Sequence, residues 1–367
     1  MKICFFTHNL HQDNGTGVFS RRLIAGLRDA LGAQIVALTA SAAGESYEYP
    51  LLCANKLRLL GRLPKIRKII KSCDAVHTLD AFPYGIIATL ASLGLGKKII
   101  IAAIGSGSIL PLYKWHYTPF VRSAYRRAAA ITAISVFTKE EILKKIPDLQ
   151  ITVINPGVDM AEFTTHVTRS TKHEIEKYKP YILSVGQLRW RKGHHFSIQA
   201  FAKIVPSFPR LKYLIVGKHY TDVYDRRLEN LIAELGLQDR VYILKDVDSR
   251  EALIELYKNA ELFCLFSQNV KHDVEGFGLV FLEAAAAGLP VVGSKNCGVD
   301  DAARDGKNGI LVPTRNPDDF ADAIIQILGN ERLKKAMGEE SLAFARDSSW
   351  EKRIEEYVDV YKRIGLA

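Results

Sequence analysis

Residues 273–294 read DVEGFGLVFLEAAAAGLPVVGS, and the reading of this stretch decides the fold. A polar loop ending in Glu275 runs through Gly276, Phe277 and Gly278 into an Ala-rich apolar helix that carries Glu283, and the helix stops at Gly288 before a short strand from Pro290 to Val292. Loop, helix and strand follow without slack, as in alternating α/β proteins. Gly276 and Gly278 permit backbone angles and close approaches that a Cβ forbids. The first amides of the helix behind them lack intrahelical partners and favour an anion. Such a loop can hold a phosphate. Glu275 and Glu283 at either end of it would repel that phosphate unless each faces something else, such as sugar hydroxyls. The plainer alternative makes Glu275 an N-terminal helix acid and Glu283 a solvated one.

Working outward, the whole chain alternates in the same way. Lys2 to Thr7, Gln34 to Thr39, Ala75 to His77, Lys98 to Ile104, Ala130 to Ile134 and Ile151 to Ile154 read as short apolar strands. Helical periodicity separates them at Val18 to Leu31, Tyr84 to Leu93, Thr118 to Ala129 and Thr138 to Lys145. Continuous Val/Ile/Leu runs between helices indicate a parallel sheet covered on both faces. After Asn155-Pro156-Gly157-Val158-Asp159 and a polar linker at Thr164 to Lys179, a second alternation starts at Tyr181 to Val185 and ends at Ile310 to Val312, with helices from about Pro317 onward. The fold class is therefore α/β, with two doubly wound, Rossmann-like domains. We expect an N-terminal domain over 1–165, a C-terminal domain over 166–346, and a C-terminal helix over 347–367 that packs back on the first domain. A capping-box pattern, Ser348-Ser349-Trp350-Glu351, starts that helix.

At 367 residues the chain is long for one core, and its 48% hydrophobic and 25% charged content is that of a globular protein. Its five cysteines, at 4, 53, 73, 264 and 297, are scattered, with no CxxC pair and no metal-ligand spacing. That pattern suits a reducing compartment. No signal peptide and no run of some twenty apolar residues is seen, so a cytoplasmic location is expected. Nearly all of the net charge of +10 lies in the N-terminal half. Its densest part, 56–71, interleaves Lys56, Arg58, Arg62, Lys65, Arg67, Lys68 and Lys71 with Leu and Ile. This basic amphipathic segment suits an anionic membrane surface, which predicts peripheral attachment at the inner face of the membrane; a surface helix with its apolar side in the core is the alternative. No nucleic-acid partner is expected.

Four further places carry possible chemistry. Gly15-Thr16-Gly17 follows the first strand and opens a helix; it lacks the third glycine and the ribose-holding acid of a dinucleotide fingerprint, but its turn could face a phosphate. Gly186-Gln187-Leu188-Arg189-Trp190-Arg191-Lys192-Gly193 lies at the end of a strand, where open α/β sheets bind ligands, and Arg189, Arg191 and Lys192 make a diphosphate clamp. Asp246-Val247-Asp248 and His272-Asp273-Val274-Glu275 resemble metal ligands, although short acidic pairs of this kind are common in turns, and no metal site is expected. Gly105-Ser106-Gly107-Ser108 lacks the flanking pattern of a nucleophile elbow.

Glu275 to Glu283 forms an E-x7-E motif in the setting E-G-F-G-L-V-F-L-E-A, and it resembles the retaining glycosyltransferases of family 4, which have the two-domain GT-B fold. Gly15 to Gly17, Ala130 to Ser135, Asn155 to Asp159, Gly186 to Gly193, Val216-Gly217 and Gly306 to Val312 fall in the family's order, so the resemblance covers essentially the whole chain. It implies transfer of a hexose from a nucleotide diphosphate sugar, UDP- or GDP-linked, to a cell-envelope or lipid-linked glycan acceptor, with two domains facing a cleft. By that similarity Glu283 would bind the ribose hydroxyls and Glu275 the transferred sugar. The amides of Phe277, Gly278 and Leu279 would approach the sugar and diphosphate. Lys192 and a neighbouring Arg would neutralise the leaving phosphates, and Gly15 and Gly17 would lie toward the diphosphate. No cofactor and no metal are implied. The chain departs from the family in two places. The usual Arg after the glycine is Gln187, so the clamp draws on Arg189 or Arg191, and the usual His after the Lys98 to Ile104 strand is replaced by Gly105-Ser106-Gly107. A non-catalytic sugar-nucleotide or glycan-binding subunit, or a sugar-nucleotide epimerase, on the same fold is the alternative.

Overall fold

The computed structural model describes residues 1–12, 14–53, 55–164, 175–247, 249–313 and 316–366. The chain divides into two units, one of Met1–Gly157 with Trp350–Ala367 and one of Val158–Ser349. Each is built on a parallel sheet flanked by helices.

In the first unit the strands are β1 (Lys2–Phe6), β2 (Gln34–Leu38), β3 (Glu48–Tyr49), β4 (Ala75–Leu79), β5 (Lys98–Ala103), β6 (Ala130–Ala133) and β7 (Thr152–Val153), ordered β3-β2-β1-β4-β5-β6-β7. Ile3 of β1 pairs with Ile35 on one side and Ala75 on the other, which puts β1 inside the sheet, next to the central β4. The chain winds outward from β1 in one direction and from β4 in the other. The C-terminal ends of these two strands therefore flank the crevice where open α/β sheets bind ligands. The edge strand β3 is absent from the sequence reading because two residues show no alternation. It is fixed instead by the Glu48 carboxylate, which accepts from Thr39 Oγ1 at 2.7 Å and from the Ala43 amide at 2.8 Å.

The second unit repeats the plan with β8 (Tyr181–Val185), β9 (Lys212–Val216), β10 (Val241–Leu244), β11 (Leu262–Leu265), β12 (Val291–Ser294) and β13 (Gly309–Val312), ordered β10-β9-β8-β11-β12-β13. Every residue of β8 and β11 is buried, as parallel strands covered on both faces require. Here the winding reverses between β8 and β11. The loops after those two strands, 186–193 and 266–278, are thus brought to one crevice.

The boundary falls before the expected residue 165. Val158 donates its amide to the Ser348 carbonyl at 2.9 Å, and the helix Met160–Thr164 buries Phe163 against the Tyr257 ring, centroids 6.4 Å apart, inside the second unit. Most of the expected linker, 165–174, lies outside the described residues. The last helix, Trp350–Arg363, belongs to the first unit. Trp350 meets Phe19 at 5.6 Å, and Ile354 fills the space over Gly26, where a Cβ would come within 2.4 Å of it.

That helix is also held through His77. The ring lies fully buried on β4, stacks on Phe5 at 5.1 Å, and shares a 3.0 Å hydrogen bond with Tyr361. Burial drives its pKa down from 6.5 to about 3. Because the folded value lies below the unfolded one, the unfolded chain takes up the proton first as pH falls. His77 therefore contributes fully above pH 6.5, and its contribution declines below that, by up to about 1.4 kcal/mol per pH unit. Urea unfolding between pH 7 and pH 5 is expected to show this loss, and His77→Gln is expected to flatten it. An unchanged pH slope in the variant would place the acid sensitivity elsewhere.

The basic segment forms two helices, Lys56–Gly61 and Leu63–Lys71, broken at Arg62, with Pro64 in the first turn of the second. Its apolar side, Leu59, Ile66 and Ile70, is in the core. Two of its cations turn inward. Arg62 Nη1 donates to the Leu51 carbonyl at 2.9 Å, and Arg67 Nη1 donates to Ala91 and Leu93 at 2.9 and 2.7 Å, closing the end of a neighbouring helix. Leu57, Leu60, Lys65, Lys68 and Lys71 stay exposed. Among the described residues no helix is long and apolar enough to cross a membrane.

Candidate functional site

The crevice of the second unit gathers residues from four separate stretches. After β8 the chain makes a short 3-10 turn over Trp190–Lys192, and the Gln268 amide donates to the Arg191 carbonyl at 2.7 Å, which ties this turn to the loop after β11. Lys192 Nζ then reaches Glu275 Oε2 at 2.6 Å, with Ser267 Oγ donating to the same oxygen at 3.1 Å. Arg191 Nη1 lies 2.7 Å from that oxygen too. Arg189 Nη2 pairs with Asp273 Oδ2 at 2.6 Å and stacks over the Tyr220 ring at 4.8 Å.

Glu275 is 7% exposed. Burial alone would push its carboxyl up, but Arg191 and Lys192, with hydrogen bonds from Lys192 and Ser267, outweigh it and hold the pKa at about 2. Burial pulls Lys192 below the ordinary lysine value, and Glu275 opposes that shift. The cluster sets Arg189, Arg191 and Lys192 against Asp273 and Glu275, so positive charge is in excess. Arg191 is buried in this cluster: Nη1 lies 2.7 Å from Glu275 Oε2 and Nε 3.5 Å from Asp273 Oδ1, and neither contact has hydrogen-bond alignment. An oxyanion placed in line with these donors would give the guanidinium the charge-assisted hydrogen bonds that the off-axis carboxylates do not.

Gly278 borders the same place. Its φ of 93° is a left-handed conformation suited to glycine, and it starts the helix Leu279–Ala286 with no side chain capping the first amides. Phe277 is buried, and Leu279 is half-buried at the first turn. The expected residues Arg189, Arg191, Lys192, Glu275, Phe277, Gly278 and Leu279 therefore converge on one crevice.

Glu283, on the helix Leu279–Ala286 and eight residues beyond Glu275, has a different setting. Arg250 Nη1 donates to its Oε1 at 2.6 Å and the Tyr257 hydroxyl to its Oε2 at 3.0 Å. Arg250 also donates through Nε to Glu162 at 2.9 Å. The carboxylate keeps spare lone pairs for a further donor, since two oxygens offer about four acceptor positions. Sequence reasoning missed Arg250, Tyr257, Ser267 and the pairing of Asp273. Arg250 and Tyr257 stand two turns apart on the helix Arg250–Lys258, hence on one face, and that spacing was the available signal.

Gly15 and Gly17 lie in the first unit and open the helix Gly15–Leu31. Asn14 caps it, accepting from the Gly17 amide at 2.9 Å, so that amide is already used. A Cβ at Gly17 would sit 1.9 Å from the His11 carbonyl oxygen, which alone requires glycine there. The Gly105-Ser106-Gly107-Ser108 segment has a structural anchor in Asp80 after β4. Asp80 Oδ1 accepts from Ser108 Oγ at 2.7 Å and from the Ile104 amide at 3.2 Å, while burial raises the Asp80 pKa to about 6. Of the two metal-like sequences, Asp248 lies outside the described residues, and Asp273 and Glu275 are engaged by Arg189 and Lys192. Among the described residues no group of three His, Cys, Asp or Glu side chains is placed to hold a metal ion.

Two family models match the chain: Glycosyltransferase Family 4 over residues 13–162 and Glycosyl transferases group 1 over residues 168–343. A D-inositol 3-phosphate glycosyltransferase of Corynebacterium urealyticum is 34% identical over 224 residues, covering 59% of this chain and 51% of that protein. A GDP-mannose-dependent alpha-(1-6)-phosphatidylinositol monomannoside mannosyltransferase of Mycolicibacterium smegmatis is 26% identical over 306 residues, covering 79% of this chain and 78% of that one. The chain thus spans about half the length of the first of these relatives. Among solved structures, Anabaena HepE in complex with UDP and glucose superposes with a TM-score of 0.83 at 18% identity, covering 99% of this chain and 100% of that one. WaaG, a glycosyltransferase involved in lipopolysaccharide biosynthesis, superposes with a TM-score of 0.77 at 17% identity, covering 98% and 99%. With family models over both halves and the fold of these structures, the chain belongs to glycosyltransferase family 4 and has the GT-B fold.

Proposed function

We propose that this protein is a retaining glycosyltransferase that moves a hexose from a UDP- or GDP-linked donor to a cell-envelope or lipid-linked glycan acceptor. The observation that carries the reading is the excess of cations at one crevice, Arg189, Arg191 and Lys192 against Asp273 and Glu275, beside the uncapped helix at Gly278. A nucleotide diphosphate supplies acceptors to these cations and to the first amides of that helix. Arg191 fills the role left open by Gln187, because it shares Glu275 with Lys192, whereas Arg189 lies toward Asp273 and Tyr220. Glu283 takes the ribose hydroxyls, held in place by Arg250 and Tyr257, and Glu275 faces the transferred sugar.

Charge develops on the leaving phosphate as the glycosidic bond breaks. Arg191, Lys192 and the first amides of the helix Leu279–Ala286 stabilise that charge from fixed positions. The departing phosphate accepts the proton of the attacking hydroxyl on the same face of the sugar, so the configuration is retained and the protein supplies positioning. The names of the similar proteins support both donor classes and a phosphorylated or lipid-borne inositol acceptor: GDP-mannose with a phosphatidylinositol mannoside in one, UDP and glucose in another. A lipid acceptor agrees with a membrane partner for the exposed cations of 56–71.

The reading requires no metal. Incubation with a panel of UDP-, GDP- and ADP-hexoses and a lipid extract is expected to release nucleoside diphosphate from one of them, and release is expected to persist in excess EDTA. Loss of release in EDTA, restored by magnesium or manganese, overturns the metal-free reading. No release from any donor, with or without metal, overturns the transferase and leaves a binding subunit.

A further inference from the structure

The loop after β11 makes a turn that its own sequence does not favour. Val270 and Asp273 pair across a two-residue hairpin: the Asp273 amide donates to the Val270 carbonyl and the Val270 amide to the Asp273 carbonyl, both at 2.9 Å. The two central residues, Lys271 and His272, have φ of 47° and 70°. Positive φ at both centres suits Asn-Gly, whereas Lys and His each carry a Cβ into the left-handed region. Both side chains are exposed, so burial does not offset that strain.

Strain of this kind persists where the surroundings hold the backbone in place. Before the turn, the Gln268 amide donates to the Arg191 carbonyl at 2.7 Å and Asn269 Nδ2 to the Asn296 carbonyl at 2.8 Å. Beyond it, the Gly298 amide donates to the Glu275 carbonyl at 2.9 Å. The turn itself is fastened through Asp273, whose Oδ2 accepts from Arg189 at 2.6 Å while its Oδ1 lies 3.5 Å from Arg191 Nε. One carboxylate thus grips two of the cations that a diphosphate would meet. The grip on Arg191 lacks hydrogen-bond alignment, so it is the contact that yields to a better-placed anion.

We propose that Asp273 is a positioning residue for the donor: in the empty site it draws Arg189 and Arg191 to the strained turn, and an arriving diphosphate takes Arg191 from it and loosens the turn. Return of Arg191 to Asp273 then favours departure of the spent nucleoside diphosphate. Binding and turn are linked in both directions, so a more stable turn weakens the ligand that loosens it. The proposal rests on the donor site of the reading above and adds a group that governs its occupancy.

Hydrogen exchange of the full chain, followed by mass spectrometry at pH 8 with and without UDP or GDP, tests this. Bound nucleoside diphosphate is expected to slow exchange in the first turn of the helix Leu279–Ala286 and to speed it at 270–273 by about threefold or more. In Asp273→Asn the turn is expected to exchange at the faster rate without ligand. Calorimetry is expected to show the same nucleoside diphosphate held about three- to tenfold more tightly by that variant, a gain that loss of a merely structural contact does not produce. His272→Gly relieves one left-handed residue; it is expected to slow exchange at the turn and to weaken the ligand by about threefold. Ligand binding by wild type with exchange at 270–273 unchanged or slowed overturns the role of Asp273 and leaves the donor site standing, as does an affinity unchanged in both variants. No binding of UDP or GDP by wild type overturns the donor site and the proposal with it.

Discussion

Glu275→Gln is expected to lower sugar transfer by about a hundred- to a thousandfold, the range seen when one preorganised polar contact to a reacting centre is removed, while leaving the affinity for free nucleoside diphosphate unchanged or higher. The two halves of this expectation come from one geometry. Glu275 Oε2 lies 2.6 Å from Lys192 and 2.7 Å from Arg191, the same cations proposed to receive the phosphates. In the unliganded protein the carboxylate competes with the ligand for them, and its removal frees them. The same substitution breaks a buried ion cluster, so the unliganded variant is expected to lose about 3 kcal/mol of stability and to recover much of it when the diphosphate binds. Denaturant unfolding with and without nucleotide separates these effects. A variant that transfers sugar at the wild-type rate would remove Glu275 from the reaction.

Glu283→Ala is expected to act the other way, weakening nucleoside diphosphate binding by about ten- to a hundredfold through the lost ribose hydrogen bonds. Its neighbours limit the damage to the fold. Arg250 loses its 2.6 Å contact to Glu283 but keeps Glu162 at 2.9 Å, so the guanidinium is not left unpaired. Tyr257 is more exposed to the change, since its buried hydroxyl donates to Glu283 Oε2. A stability loss of about 1–3 kcal/mol is therefore expected, the cost of one buried hydroxyl without a partner. Titration calorimetry with the cognate nucleoside diphosphate reads the affinity, and an unchanged dissociation constant would assign Glu283 to the fold alone.

Much of the scaffold was legible because parallel strands announce themselves. Tyr181–Val185 forms at the bounds read from its apolar run. The winding reversal between β8 and β11 follows from the order of the elements, and it explains why residues near 190 and near 275 share a crevice. Their partners were not legible. Lys192 and Glu275 are 83 positions apart and Arg250 and Glu283 are 33 apart, and no local period connects such pairs. The basic segment shows the limit from another side. Its charge pattern is visible in the sequence, but Arg62 and Arg67 are spent on backbone carbonyls, a use that depends on where two other segments end. Charge neutralisation in this region should therefore spare them and use Lys65, Lys68 and Lys71. Gly17 misleads in the same way, since its backbone is crowded by His11 whether or not a ligand is near.

The division of labour between the two acids of the E-x7-E segment is the centre of this account. It is tested by calorimetric titration of the cognate nucleoside diphosphate into wild type, Glu275→Gln and Glu283→Ala side by side. The account predicts affinity retained or raised in Glu275→Gln and reduced at least tenfold in Glu283→Ala. Equal loss in both variants would contradict it.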